Sequence, residues 1–131
     1  MNREIKFRGK STLDGKWVFG SYKKFYGYHV SDIHHQIHTY DGANIYEVIP
    51  ETVGQYTGVK DKNGKEIYEG EIIRFIEENC LVNFVENDCA FRVDVDSRIS
   101  TALRKVHSKD YEVIGNIHDN PELLEVDNGQ H

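Results

Sequence analysis

Apolar and polar residues alternate with a period of two along most of this chain, the pattern of strands with one face buried. In the stretch IKFRGK, Ile5 and Phe7 alternate with Lys6 and Arg8. In KWVFGSY, Trp17, Phe19 and Ser21 alternate with Val18 and Gly20. Asp14-Gly15 lies between the two runs, and Asp-Gly favours the tight turn of a hairpin. A second turn is expected at Asp41-Gly42, before the strand-like NIYEVI, which Pro50 ends. The residue before a proline is held extended, so Ile49 should close that strand.

Further strands are expected in TVGQYTGV, EIY, EIIRFIEE, CLVNFVE and CAFRVDVD. The turns between them fall at Asn63-Gly64, Glu69-Gly70 and Glu86-Asn87-Asp88. One segment breaks the rhythm. SRISTALRKVHS places Ile99, Leu103 and Val106 at helical spacing and predicts a short helix. YEVIGNI then reads as a buried strand. Asn120-Pro121 reads as a helix start, and VDNGQH as a frayed tail.

These elements predict an all-β protein with short helical additions. With 131 residues the chain is long enough for one core, or for two small β-units. A 38% hydrophobic and 29% charged composition is that of a globular chain. No apolar run approaches the roughly 20 residues that cross a bilayer. MNREIKFRGK lacks the apolar stretch of a secretory signal, so no membrane partner and a cytoplasmic location are expected.

Charge is unevenly placed. Residues 1–30 hold seven Lys or Arg against Glu4 and Asp14, a net of +5, which leaves −11 for the rest of a total of −6. The acidic majority argues against indiscriminate coating of DNA. The basic N-terminal portion alone interleaves Lys16, Lys23 and Lys24 with Trp17, Phe19, Tyr22, Phe25, Tyr26 and Tyr28. Cations beside stacking rings are what single-stranded nucleic acid takes. The same residues also fill small β cores and anchor protein interfaces.

Several sites can be weighed by spacing. In DIHHQIH, His34 and His38 would share a helix face and could grip zinc, but His35 stands where a zincin helix needs Glu. As a strand, the two histidines lie too far apart for a joint grip. DKNGKE resembles part of a calcium loop, yet its first and twelfth ligand positions fall on Val59 and Gly70, which supply no carboxylate. No phosphate-binding glycine loop and no nucleophile elbow is present. Binding rather than catalysis is the expectation, with no cofactor. Cys80 and Cys89 match no zinc spacing; they are read as free thiols, with a bridge across the Glu86–Asp88 turn as the alternative.

TVGQYTGVKDKNGKEIYEGEII, from Thr52 to Ile73, resembles the signature of the YopX family, small proteins of bacteriophages and prophages. That signature reads T-V-G-Q-[YF]-T-G-L-x-D-x-x-G-x-x-[IL]-[YF]-E-G-D-I-[IV]; Val59 here replaces Leu and Glu71 replaces Asp. The opening REIKFR and the closing VIGNIHDNPELL are similar to the family's two ends. The resemblance implies a mainly β protein with an SH3-like barrel in the C-terminal half, made inside a bacterial cell. It brings no catalytic residue.

The expected organisation is therefore an N-terminal β-unit with its linking motif over residues 1–66, an SH3-like barrel over 67–126 packed on it, and a tail over 127–131. Gly54, Gly58, Gly64 and Gly70 would set the backbone of the motif. Gln55, Tyr56, Lys60 and Asp61, together with Trp17, Lys23 and Lys24, are the candidate binding surface. The expected partner is a host or phage protein or a second copy of this chain, with nucleic acid as the alternative. A metal-dependent hydrolase centred on the histidines is the third reading.

Overall fold

The computed structural model describes residues 4–86, 89–95 and 99–124. Asn87-Asp88 of one expected turn, Ser97-Arg98 of the expected helix and the C-terminal tail lie outside them. The chain is mainly β and divides into two compact units, Met1–Tyr56 and Thr57–His131.

The first unit contains β1 (Phe7–Lys10), β2 (Trp17–Tyr26), β3 (Ile33–His38), β4 (Ile45–Glu47) and the start of β5 (Gly54–Lys60). They are antiparallel in the order β4-β3-β2-β1-β5. The Asp-Gly hairpin forms as the pattern predicts: Gly15 has φ 73°, and the Ser11 N–H donates to the Lys16 carbonyl at 2.9 Å. Ile37 and Val48 are the buried apolar centre. Ile49 is extended ahead of Pro50, which starts a 3₁₀ turn over Pro50–Thr52. Thr52 Oγ1 accepts the Lys10 N–H at 2.9 Å and donates to the Ile49 carbonyl at 2.6 Å, tying that turn to β1.

The second unit takes the remainder of β5, then β6 (Glu66–Tyr68), β7 (Glu71–Phe75), β8 (Glu78–Val85), β9 (Ala90–Asp94), β10 (Ser100–Ala102) and β11 (Glu112–Asn116). Its five-stranded sheet runs β10-β9-β8-β7-β11, and the two ends of this order do not meet, so among the described residues the sheet is not a closed barrel. Val59, Ile67, Ile73, Cys80, Val82, Val93 and Tyr111 form its core. Full burial of a Val or Ile side chain contributes about 1.5–3 kcal/mol, so this cluster dominates the stability of the unit.

The predicted helix over SRISTALRKVHS does not form. Ser100–Ala102 instead pairs with β9, and Lys105–Asp110 makes a 3₁₀ turn. Of the three residues at helical spacing, only Leu103 packs on the core; Ile99 and Val106 are exposed. Pairing decides the matter. Arg92 on β9 donates to the Ser100 hydroxyl at 2.9 Å and carbonyl at 2.7 Å, and the Arg104 N–H donates to the buried Tyr111 hydroxyl at 3.1 Å. The expected C-terminal helix is a 3₁₀ turn over Pro121–Leu124.

The β7–β8 hairpin carries strain that the alternation does not reveal. Phe75 pairs with Glu78, so Ile76 and Glu77 are the whole turn, and both are left-handed, at φ 52° and 65°. A β-branched residue resists that region. Because Ile76 is 73% exposed, nothing is buried in return. Replacing Ile76-Glu77 by Asn-Gly is expected to stabilise the second unit by about 1–2 kcal/mol, read as a raised urea midpoint.

Candidate functional site

The motif Thr52–Ile73 is a set of turn locks. Asp61 is 5% exposed. Its Oδ1 accepts the N–H groups of Asn63 at 2.8 Å and Lys65 at 2.9 Å, and its Oδ2 accepts that of Val113 at 2.9 Å. The carboxylate thus closes the Asn63-Gly64 turn and fastens it to β11. Burial pushes the Asp61 pKa up, and these three backbone donors outweigh it, holding the group below the ordinary range. Glu71, buried in place of the family's Asp, does the same at the next turn by accepting the Tyr68 N–H at 2.8 Å. Gly64 and Gly70 are left-handed at φ 82° and 93°, and so is Gly58 at φ 88°. Gly54 is instead a buried strand residue opposite Arg8.

The four motif residues named as a surface therefore separate. Asp61 is spent on the backbone. Tyr56 is buried with Lys6 Nζ 5.0 Å from its ring centroid. Gln55 is half-buried opposite Phe7, and Lys60 is exposed. Cys80 and Cys89 are both free. Burial pushes the Cys80 thiol to about 11, which leaves it protonated and inert.

The basic aromatic residues come together on the sheet of the first unit. Directly paired residues share a face. Arg8 opposes Phe19, Lys10 opposes Trp17, Lys23 opposes Gln36 and Phe25 opposes His34. One face thus carries Arg8, Lys10, Trp17, Phe19, Lys23, Phe25, His34 and Gln36. Arg8 lies 4.1 Å and Lys10 5.6 Å from the Trp17 ring centroid, and Lys23 lies 5.4 Å from that of Phe25. Phe25 stacks on His34 at 4.9 Å. Lys24 is exposed on the opposite face, across from His35, whose Nδ1 meets the Tyr22 hydroxyl at 2.6 Å.

The histidine run is strand β3, so His34 and His35 point to opposite faces. His34 and His38 share a face but sit four residues apart, roughly 13 Å along a strand. His34 lies between Asp32 at 3.2 Å and Glu47 at 3.4 Å, and His38 Nε2 meets Gln36 Oε1 at 3.0 Å. Among the described residues no group of three or more His, Cys, Asp or Glu is placed to hold a metal ion.

The β2–β3 hairpin adds a feature that alternation did not single out. β1 pairs with β2 only from Trp17 to Gly20 and β4 reaches β3 only as far as Gln36. The far end of the hairpin consequently extends as a two-stranded arm. At its tip Tyr26, Tyr28, Val30 and Ile33 are 59%, 94%, 82% and 44% exposed. The signal was present as the apolar residues of YGYHV around Gly27, where no partner strand is specified.

A family model described as YopX protein matches residues 6–125, nearly the whole chain. The chain belongs to the YopX family. Among solved structures, it is similar to the crystal structure of protein EF1440 from Enterococcus faecalis, at 22% identity and a TM-score of 0.56, covering 95% of this chain and all of that one. That likeness speaks for the fold. No curated protein matches the sequence. No helix among the described residues is long and apolar enough to cross a membrane.

Proposed function

We propose that this YopX protein is a phage-encoded accessory factor that works in the bacterial cytoplasm by docking on another protein through its β2–β3 arm. The carrying observation is the exposed apolar tip formed by Tyr26, Tyr28, Val30 and Ile33. Apolar side chains held out on a projecting hairpin gain most by entering a partner's groove. Lys23 and Lys24, both exposed at the base of the arm, favour a groove with an acidic rim. We propose that the second unit is of the SH3-like type; its meander β7 to β10, the 3₁₀ turn Lys105–Asp110 and the return of β11 to β7 support that reading.

The test is capture from host lysate by the wild-type chain and by Tyr28→Ser/Val30→Ser. A discrete protein retained by the first and lost by the second, with unchanged thermal unfolding, is the expected result. Light scattering separates a second copy from a foreign partner. Equal capture by both chains removes the arm from the reading.

A further inference from the structure

We infer that the open edge of β2 from Tyr22 to Tyr26 takes an acidic segment of a partner protein as an added β-strand. This edge is the flank of the arm already read as a docking element, and its role rests on that reading. Two hydrogen bonds fix which way the backbone of the edge points. The Gly27 N–H donates to the Asp32 carbonyl at 2.6 Å, one step beyond the Tyr26–Ile33 pair of the β2–β3 ladder. Bonded and unbonded pairs alternate in an antiparallel ladder. Phe25 and Lys23 therefore bond to β3, while Tyr26, Lys24 and Tyr22 turn their N–H and C=O groups away from it. At the other end the Ser11 N–H donates to the Lys16 carbonyl at 2.9 Å, one step beyond the Lys10–Trp17 pair. The same alternation directs Val18 and Gly20 to β1 and continues to Tyr22, Lys24 and Tyr26 on that side. Pairing with β1 ends at Gly20. Among the described residues no strand pairs with β2 beyond it, so the donors and acceptors of these three residues face outward.

Charge selects the occupant. From Trp17 to Tyr26 the strand holds Lys23 and Lys24 and no acidic residue. Both lysines are exposed, and among the described residues neither makes an ion pair. They project to opposite faces of the sheet, so adjacent carboxylates on an added strand would meet one each. The neighbouring acids are engaged elsewhere. Asp32 and Glu47 hold His34 at 3.2 and 3.4 Å, Glu47 also accepts from Gln36 at 2.7 Å, and Glu4 pairs with Lys6 at 3.5 Å. Glu47 stands two strands from β2, roughly 10 Å away. A second copy of this chain does not suit the edge. Pairing two such edges about Lys24 sets each Lys24 against its counterpart, and like charges directly opposite destabilise a ladder. Lysines guard an edge against its own kind in this way, whereas a strand carrying acid meets no such barrier.

The probe is a capped, labelled peptide of about seven residues, alternating valine and threonine around two adjacent glutamates, titrated with the full chain by fluorescence anisotropy. Binding is expected at low salt, with none of a peptide carrying lysines in place of the glutamates. Lys23→Glu/Lys24→Glu should abolish it. Lys24→Pro, which removes one outward N–H, should weaken it about tenfold, the cost of one or two hydrogen bonds. Trp17 fluorescence reports whether each variant retains the fold of the first unit. Independently of any variant, N-methylating alternate peptide residues should abolish binding in one of the two possible sets and spare it in the other. In the free chain the Lys24 and Tyr26 amides should exchange fast and those of Lys23 and Phe25 slowly; the peptide should protect the first pair. No binding at low salt, equal binding of the two methylated peptides, or a Lys24 amide already protected in the free chain overturns the inference. Tyr28→Ser/Val30→Ser should bind the peptide as the wild type does. Peptide binding absent while capture from lysate still depends on the tip removes the edge and spares the tip; peptide bound while capture ignores the tip supports the edge and removes the tip.

Discussion

Replacing Asp61 with alanine is expected to destabilise the second unit by about 3 kcal/mol. Three backbone N–H groups, of Asn63, Lys65 and Val113, lose a buried charged acceptor at once. No nearby side chain replaces it, because Asp61 occupies the inside of the turn that closes through the Gly64 N–H and the Asp61 carbonyl at 3.0 Å. Asp61→Asn is expected to lose less, since its oxygen can keep the Asn63 and Lys65 bonds while its amide faces the Val113 N–H. Amide exchange at Asn63, Lys65 and Val113 should accelerate together in the alanine variant. Protection unchanged at Val113 would show that the carboxylate does not fasten β11.

The same carboxylate makes stability depend on pH. Its folded pKa lies below the ordinary value of 3.8. The contribution is therefore fully present above about 3.8 and is lost as pH falls through the lower, folded value. Asp61→Ala should flatten that part of the acid unfolding curve and leave the neutral plateau lower.

Gly20→Ala is expected to destabilise the first unit by about 3 kcal/mol. A Cβ at Gly20 would overlap the His38 carbonyl oxygen and lie 2.8 Å from its carbon and 3.0 Å from Thr39 Cα. These are backbone atoms that cannot swing away. Gly20 is the place where β2 passes from β1 to β3, for it pairs with Phe7 while Ser21 pairs with His38. Urea unfolding followed by Trp17, the single tryptophan, reads this unit directly. Ser21→Ala, one residue on and exposed, should leave the midpoint nearly unchanged.

The local turns were legible because each rests on nearby chemistry. Asp14-Gly15, Asn63-Gly64 and Glu69-Gly70 became turns, each with a left-handed glycine. Ile49 was extended ahead of Pro50 as steric reasoning requires. Ile76-Glu77 was not legible, since neither residue prefers the left-handed region; the pairing of β7 with β8 imposes it. The same holds for Ser100–Ala102, whose neighbours match a helical period. An isolated helix of that length is marginal in water, and an open edge at β9 offered backbone hydrogen bonds instead.

The candidate sites divide in the same way. Spacing alone excluded a calcium loop at Asp61 and left the histidines without a shared grip. It could not separate Asp61, which is buried and bonded to the backbone, from Lys60, which is exposed. By itself the sequence determined the strand rhythm, the glycine turns, the basic bias of residues 1–30 and the family. Only the tertiary structure decided which neighbours each strand would have. Register puts Trp17, Phe19 and Phe25 on one face with Arg8, Lys10 and Lys23, and the unequal lengths of β1, β2, β3 and β4 leave the arm tip exposed. Both depend on contacts between residues far apart in the chain, and local preference carries no term for them.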